Sequence, residues 1–203
     1  MSPTATTPPR TAVDSECTLI PLGPDHIIEV GHAQVQKHGE QAAGDTVRLR
    51  RIPEEERAIV VLSDGLGSGV KASVLSSLTA TMAMEYVNSD IEPERVAGIV
   101  MRTLPVCSVR KIRYATFTAL DLRASGSCDV VNYDNPGPFL VKPGSCEAVD
   151  LDAVEITGAS APRTHAHTGT ITVGLGEYVV SVSDGVTQAG VGSDRYPLGW
   201  GTD

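Results

Sequence analysis

The stretch VVLSDGLGSGVKAS, residues 60–73, ends an apolar run in an acid, passes through a glycine-rich turn and opens a helix-like pattern. A second stretch, YVVSVSDGVTQAG at 178–190, repeats the arrangement of apolar strand, Ser-Asp-Gly and turn. A third acid, Asp45, stands in AAGDTV where another strand-like run begins. Strand ends are rigid, so acids placed there are held with little positional slack. If Asp45, Asp64 and Asp184 converge, their charges repel and raise one another's pKa unless cations neutralise them. Carboxylate oxygens of this kind suit Mg²⁺ or Mn²⁺. A glycine after each Asp lets the backbone approach closely enough for its carbonyl to act as a further ligand. The simpler alternative is that Asp-Gly only makes a turn after a strand.

Three familiar roles of a glycine-rich turn fail here on spacing. A P-loop needs Lys directly after its last Gly and then Ser or Thr, whereas Gly69 is followed by Val70, Lys71 and Ala72. A dinucleotide fingerprint needs G-x-G-x-x-G, but Gly65, Gly67 and Gly69 are spaced G-x-G-x-G. A nucleophile elbow needs G-x-S-x-G, and Ser68 lies directly between two glycines.

Working outward, alternation and β-branched residues predict strands near Ile27–Val35, Thr46–Ile52 and Arg57–Ser63, with PEEER as a hairpin turn between the last two. From Val70, the apolar positions Val74, Leu75, Leu78, Met82 and Tyr86 recur at helical spacing and predict one buried helix face. A second helix starts near Pro93, runs through Val96, Ile99, Val100 and Leu104, and halts at Pro105. YATFTALDL, CDVVNYD, GPFLVKPG, TGTITVGL and EYVVSVSD then read as successive short strands. Strands, a helical pair and more strands predict an α+β layered domain with sheets packed on one face.

The 203 residues suffice for one domain with a sizeable core. Aromatic residues make up only 4%, so Val, Ile, Leu and Ala must build that core. A net charge of −9 argues against a nucleic-acid binder. No apolar run has the length of a membrane span, and MSPTATTPPRTAVDSE lacks the apolar region of a secretory signal. Residues 1–25 read as a disordered or extended tail and 26–203 as the domain. Cys17, Cys107, Cys128 and Cys146 have no CxxC spacing and read as free, buried thiols in a reducing cytoplasm.

GDT at 44–46, SDGLGSGVKA at 63–72, YATFTALDL at 114–122, DNPGPFLV at 134–141 and SDGVTQAG at 183–190 resemble the SpoIIE-type serine phosphatases. These are the bacterial branch of the metal-dependent PPM (PP2C-like) protein phosphatases, and the motifs run in the family's order from about residue 27 to 200. The resemblance implies a PP2C-like β-sandwich of antiparallel sheets with helices on its outer faces. It also implies a site of two Mn²⁺ or Mg²⁺ ions: Asp64 bridging both, the Gly65 carbonyl and Asp45 on the second, and Asp184 on the first. Water activated at the two metals would attack phosphorus directly. The implied substrate is phosphoserine or phosphothreonine on a protein, a regulator of a sigma-factor switch being one such partner. A regulatory partner binding the helical pair at 70–104 would control metal occupancy through the turn at Gly65. One departure stands out. The family carries a further Asp several dozen residues after the second SDG motif, whereas Asp194 and Asp203 are the only later acids here. A chain truncated at its C-terminus is the favoured reading. A non-catalytic interaction module on the same fold, with incomplete metal ligation, is the alternative, and a phosphatase for small phosphorylated molecules is a third.

Weaker signals read as structural. Arg110, Lys111 and Arg113 form a solvated turn rather than a phosphate clamp. His165 and His167, spaced H-x-H, lie in an exposed segment, and Cys107 is a packed thiol. Asp134 caps a turn. The start of the first helix could receive an anion on its free N–H groups.

Overall fold

The computed structural model describes residues 13–22, 25–36, 40, 42–103, 115–156 and 164–201. Its centre is a six-stranded antiparallel sheet in the order β3-β4-β5-β6-β10-β9. These strands are β3 (Asp45–Ile52), β4 (Arg57–Gly65), β5 (Ala115–Arg123), β6 (Ser127–Tyr133), β9 (Asp152–Ile156) and β10 (Thr164–Thr172). Two helices, α1 (Gly69–Asn88) and α2 (Pro93–Thr103), cover one face. There Ile59, Val61, Phe117, Ala119, Val131 and Tyr133 meet Ala80, Ala83, Met84, Val96 and Val100 in one buried cluster. Phe117 and Tyr133 stack within it, ring centroids 6.1 Å apart.

The opposite face carries two smaller antiparallel sheets. One pairs β1 (Val13–Leu22) with β2 (His26–Val35); the other runs β11-β7-β8, with β7 (Phe139–Lys142), β8 (Ser145–Ala148) and β11 (Tyr178–Val180). Ile20 and Leu22 bury themselves against Ala58, with Ile28 and Val30 beside them. Among the described residues the two small sheets do not join. An apolar cleft of about 840 Å³ is bordered by β2, β11 and the inner face of the central sheet. Val60, Leu62, Leu120 and Leu122 line it and remain half-buried. The architecture is the PP2C-like layered fold expected from the motifs.

Several sequence readings need correction. The tail read over residues 1–25 includes β1, which pairs with β2 from Val13↔Val35 to Leu22↔His26. Its polar residues face outward along an exposed hairpin, so its composition resembles that of a tail. The short strands β8 and β9, SCEA and DAVEI, carry too little alternation to be seen from sequence. PEEER is the hairpin connection expected between β3 and β4, which pair down to Ile52↔Arg57, and it is built as a 3-10 helix over Pro53–Glu55 that closes on Glu56 at φ +48°.

The buried face of α1 matches the predicted one only in part: Leu75 is buried, and Met82 and Tyr86 pack against the core. Ala72, Leu75, Ser76, Thr79, Ala80, Ala83, Met84 and Val87 turn inward, while Val70, Val74 and Leu78 are 59%, 60% and 46% exposed. Small side chains let the helix lie close on β4. The buried hydroxyls satisfy themselves locally, Thr79 Oγ1 donating to Leu75 O at 2.8 Å and Ser76 Oγ to Ser73 O at 3.1 Å. In α2 the predicted Val96 and Val100 are buried, and Leu104, Pro105, Cys107 and the basic run at 108–114 lie outside the described residues. Of the other cysteines, Cys128 is buried as expected, but Cys17 and Cys146 are exposed.

At the far end of the sheet Arg57 is buried among acceptors. Its Nε and Nη2 donate to Asp121 Oδ1 and Oδ2 at 2.7 and 2.8 Å, and Nη2 also donates to the Val87 carbonyl at 2.8 Å. Nη1 reaches Glu55 at 2.8 Å and Asp90 at 3.0 Å. One guanidinium therefore ties β4, β5 and the end of α1 together. Arg57→Ala strands a buried carboxylate and a carbonyl, and is expected to cost about 3–5 kcal/mol. A thermal melt within about 2 °C of the parent would contradict this account.

Candidate metal centre

The turn that carries Asp64 is shaped by packing. Asp45 and Asp64 are directly opposed in the β3–β4 register, and the Gly65 N–H extends the pairing by donating to Gly44 O at 3.3 Å. A Cβ on Gly65 would lie 2.0 Å from the Ala72 carbonyl oxygen, so α1 seats directly on this glycine. Gly185, after the second acid, has no such constraint: its nearest foreign atom would be Ser183 Oγ at 3.7 Å. Close approach therefore explains the first Ser-Asp-Gly and not the second.

The second motif starts α3 (Asp184–Thr187), one short turn after β11. Ser183 precedes it in extended conformation, and its hydroxyl makes no helix cap. Instead Ser183 Oγ donates to Asp45 Oδ2 at 2.7 Å, across 138 residues of sequence. Gln188 Nε2 donates to Asp184 Oδ2 at 3.2 Å and steadies that side chain. On the first motif Ser63 Oγ donates to Thr116 O at 2.8 Å, locking β4 to β5. The two serines thus hold the site together, a role the sequence reading misses. A hydroxyl beside each acid is the available signal.

Asp64 is the acid on which both others act, Asp45 standing opposite it in the β3–β4 register. Burial, together with hydrogen bonds and repulsion from Asp45 and Asp184, pushes the Asp64 carboxyl up to about 8. Without a counter-charge, the central acid keeps its proton near neutral pH. A divalent cation could replace that proton, and the carboxylates of Asp45, Asp64 and Asp184 with the Gly65 carbonyl are hard oxygen donors of the kind that suit Mg²⁺ or Mn²⁺. Among the described residues, no three His, Cys, Asp or Glu side chains already stand in metal-ligand geometry.

The remaining candidates resolve as structure. The start of α1 faces the chain's own Glu40, which accepts from Ser68 Oγ at 2.5 Å. A carboxylate there is favoured by the helix dipole, so the anion expected at this terminus is internal. His165 and His167 are exposed on β10, opposite Glu155 and Ala153 of β9. Asp134 takes φ +55° in its turn, a left-handed conformation that Asp tolerates better than most residues. The apolar cleft is the sandwich interior rather than a substrate site, since none of the three acids lines it.

Among solved structures, the chain is similar to the PP2C phosphatase domain with a fragment of the regulatory domain of SpoIIE from Bacillus subtilis. That match has a TM-score of 0.65 and 15% identity, over 93% of this chain and 50% of the other. It is also similar to the RsbU and RsbW domains of a Mycobacterium tuberculosis protein, with a TM-score of 0.59, 18% identity, and coverage of 88% and 46%. A third match is RsbX in complex with magnesium, with a TM-score of 0.56, 17% identity, and coverage of 86% and 75%. The chain spans about half the length of the first two. No curated protein matches it. At such identities these likenesses establish the fold, and the family is established by sequence. Residues 54–198, more than half of the chain, match the family described as Stage II sporulation protein E, so this chain belongs to the SpoIIE family of PP2C-like phosphatases.

Proposed function

We propose that this chain is a metal-dependent protein serine/threonine phosphatase domain. It would hydrolyse phosphoserine or phosphothreonine on a regulatory protein, of which a sigma-factor regulator is one kind. The observation that supports this reading is the opposition of Asp45 to Asp64 across β3 and β4, with Asp184 also acting on the Asp64 carboxyl. In this reading Asp64, Asp45, Asp184 and the Gly65 carbonyl hold two Mn²⁺ or Mg²⁺ ions. When bound, such a pair lowers the pKa of a water nucleophile and neutralises charge on the phosphoryl oxygens. The chain's own contribution is placement. Ser183 holds Asp45 by one carboxylate oxygen, and Gln188 holds Asp184 by one. The seat of α1 on Gly65 fixes the turn between them. Because the uncatalysed reaction is extremely slow, small errors in this placement should silence the site.

The test is phosphate release from a phosphoserine peptide with added Mn²⁺, repeated in excess EDTA and with a small aryl phosphate. Release that requires Mn²⁺ and favours the peptide is expected. Peptide turnover no better than aryl phosphate turnover would move the substrate to small molecules.

No helix among the described residues is long and apolar enough to cross a membrane, and the proposed setting is the cytoplasm. Regulatory input is proposed at the α1–α2 pair, where Val70, Val74 and Leu78 leave an apolar stripe uncovered. A shift of α1 would be transmitted to Gly65 through Ala72. The second reading is an interaction module without catalysis on the same fold. Failure to take up Mn²⁺ in calorimetry would select it.

A further inference from the structure

The DNPGPF turn that follows β6 reads from sequence as a connection only, yet it carries a buried side chain one strand away from the acids. Asn135 is buried, and each polar group of its side chain is engaged. Its Oδ1 accepts from Thr116 Oγ1, and its Nδ2 donates to Thr118 Oγ1 at 3.1 Å. Thr118 Oγ1 in turn donates to Asn132 Oδ1 at 2.6 Å, and Asn132 Nδ2 donates back to the Asn135 carbonyl at 2.9 Å. The ring joins β5, β6 and the turn. Thr116 is the residue opposed to Asp64 across β4 and β5, and its carbonyl accepts from Ser63, the neighbour of Asp64.

Side chains two apart on a strand share a face. Asp64 and Leu62 therefore project to the same side as their partners Thr116 and Thr118. The network lies on that side, at the end of the sheet where Asp64 stands. A strand end normally frays, because it has fewer neighbours than the middle. Here the end of β5 is held by an amide that serves two of its hydroxyls at once. We propose that Asn135 is a positioning residue. Through Thr116 and Thr118 it clamps the beginning of β5 against the acid-bearing end of β4, and so fixes where the Asp64 carboxylate is presented.

The consequence for metal binding rests on the phosphatase reading above, whereas the clamp itself does not, so two measurements separate them. Asn135→Ala removes both side-chain bonds, and Thr116→Val removes one with little change of shape. Arg57→Lys serves as a control that weakens the opposite end of the same strands. Amide hydrogen exchange on the metal-free protein is expected to quicken at Asp64, Gly65 and Thr116 in both test variants, and to stay at the parental rate there in Arg57→Lys. Parental exchange at these amides in both test variants would overturn the clamp, as would equal loss in the control. Calorimetric titration with Mn²⁺ alone should then show about 10-fold weaker binding for Asn135→Ala, the lower end of what loss of an outer-shell partner costs. Quickened exchange in a protein whose parent takes up no Mn²⁺ would uphold the clamp and remove the phosphatase reading.

Discussion

Asp64→Asn should abolish manganese-dependent phosphate release and, in the same protein stripped of metal, raise the melting temperature at pH 8. The two effects have one origin. Asp64 lies between Asp45 and Asp184, and its carboxyl is lifted from 3.8 to about 8 by burial and by those neighbours. Between about pH 4 and about pH 8 the unfolded chain has given up this proton while the folded chain keeps it. Folding then binds more protons than unfolding, so stability falls as pH rises through that window and levels off above it. Asparagine carries no charge and can donate to both neighbouring carboxylates, which removes the penalty. For a chain of this size each 1 kcal/mol recovered is worth about 2–4 °C, and a gain of several degrees is expected at pH 8. None is expected well below the unfolded carboxyl's 3.8, at about pH 2–3, where Asp64 is protonated in both the folded and the unfolded chain. Turnover should fall by at least about 10²–10³-fold, the loss seen when one preorganised charge-stabilising group is removed. A variant that keeps full turnover, or melts at the parental temperature at pH 8, would show that the three acids do not act together.

Among the described glycines, Gly65→Ala is expected to be the most disruptive added methyl. The added carbon would sit 2.0 Å from the Ala72 carbonyl oxygen and 2.7 Å from its carbon. Both are backbone atoms of α1, so no rotamer change can relieve the overlap, and either the helix or the strand end must move. Overpacking usually costs about 1–3 kcal/mol, and a backbone clash belongs at or above the top of that range. The carbonyl proposed as a metal ligand would move with the turn, so Mn²⁺ binding should weaken along with stability. Gly185→Ala is the matched control, because its new carbon meets nothing closer than 3.7 Å. It should shift stability by no more than about 0.5 kcal/mol. Similar melts for the two variants would refute the seat of α1 on Gly65.

Much of the site is legible because it is written in short motifs. An apolar run, an acid and a glycine define a strand end wherever they occur, and two copies with Gly44-Asp45 point to three converging acids. What holds those acids is not legible. Ser183 finds Asp45 across 138 residues, and Asn135 reaches two threonines on a strand nearly twenty residues earlier, which no local pattern encodes. The exposed stripe on α1 escapes a sequence reading for a related reason. Periodicity detects large apolar side chains, but here close packing selects small ones, Ala72, Ala80 and Ala83, and leaves Val70 and Val74 outside.

The sequence by itself determined the family and the helical pair set between strands, and it singled out the acids proposed for the site, since each depends on residues close together in the chain. Only the tertiary structure decided that β1 belongs to the domain, that Gly65 and not Gly185 is sterically required, and that the second layer is split by a cleft. Those outcomes depend on which distant surfaces come into contact. Contact between remote segments is settled by packing and hydrogen-bond satisfaction over the whole molecule, and not by the propensities of any one stretch.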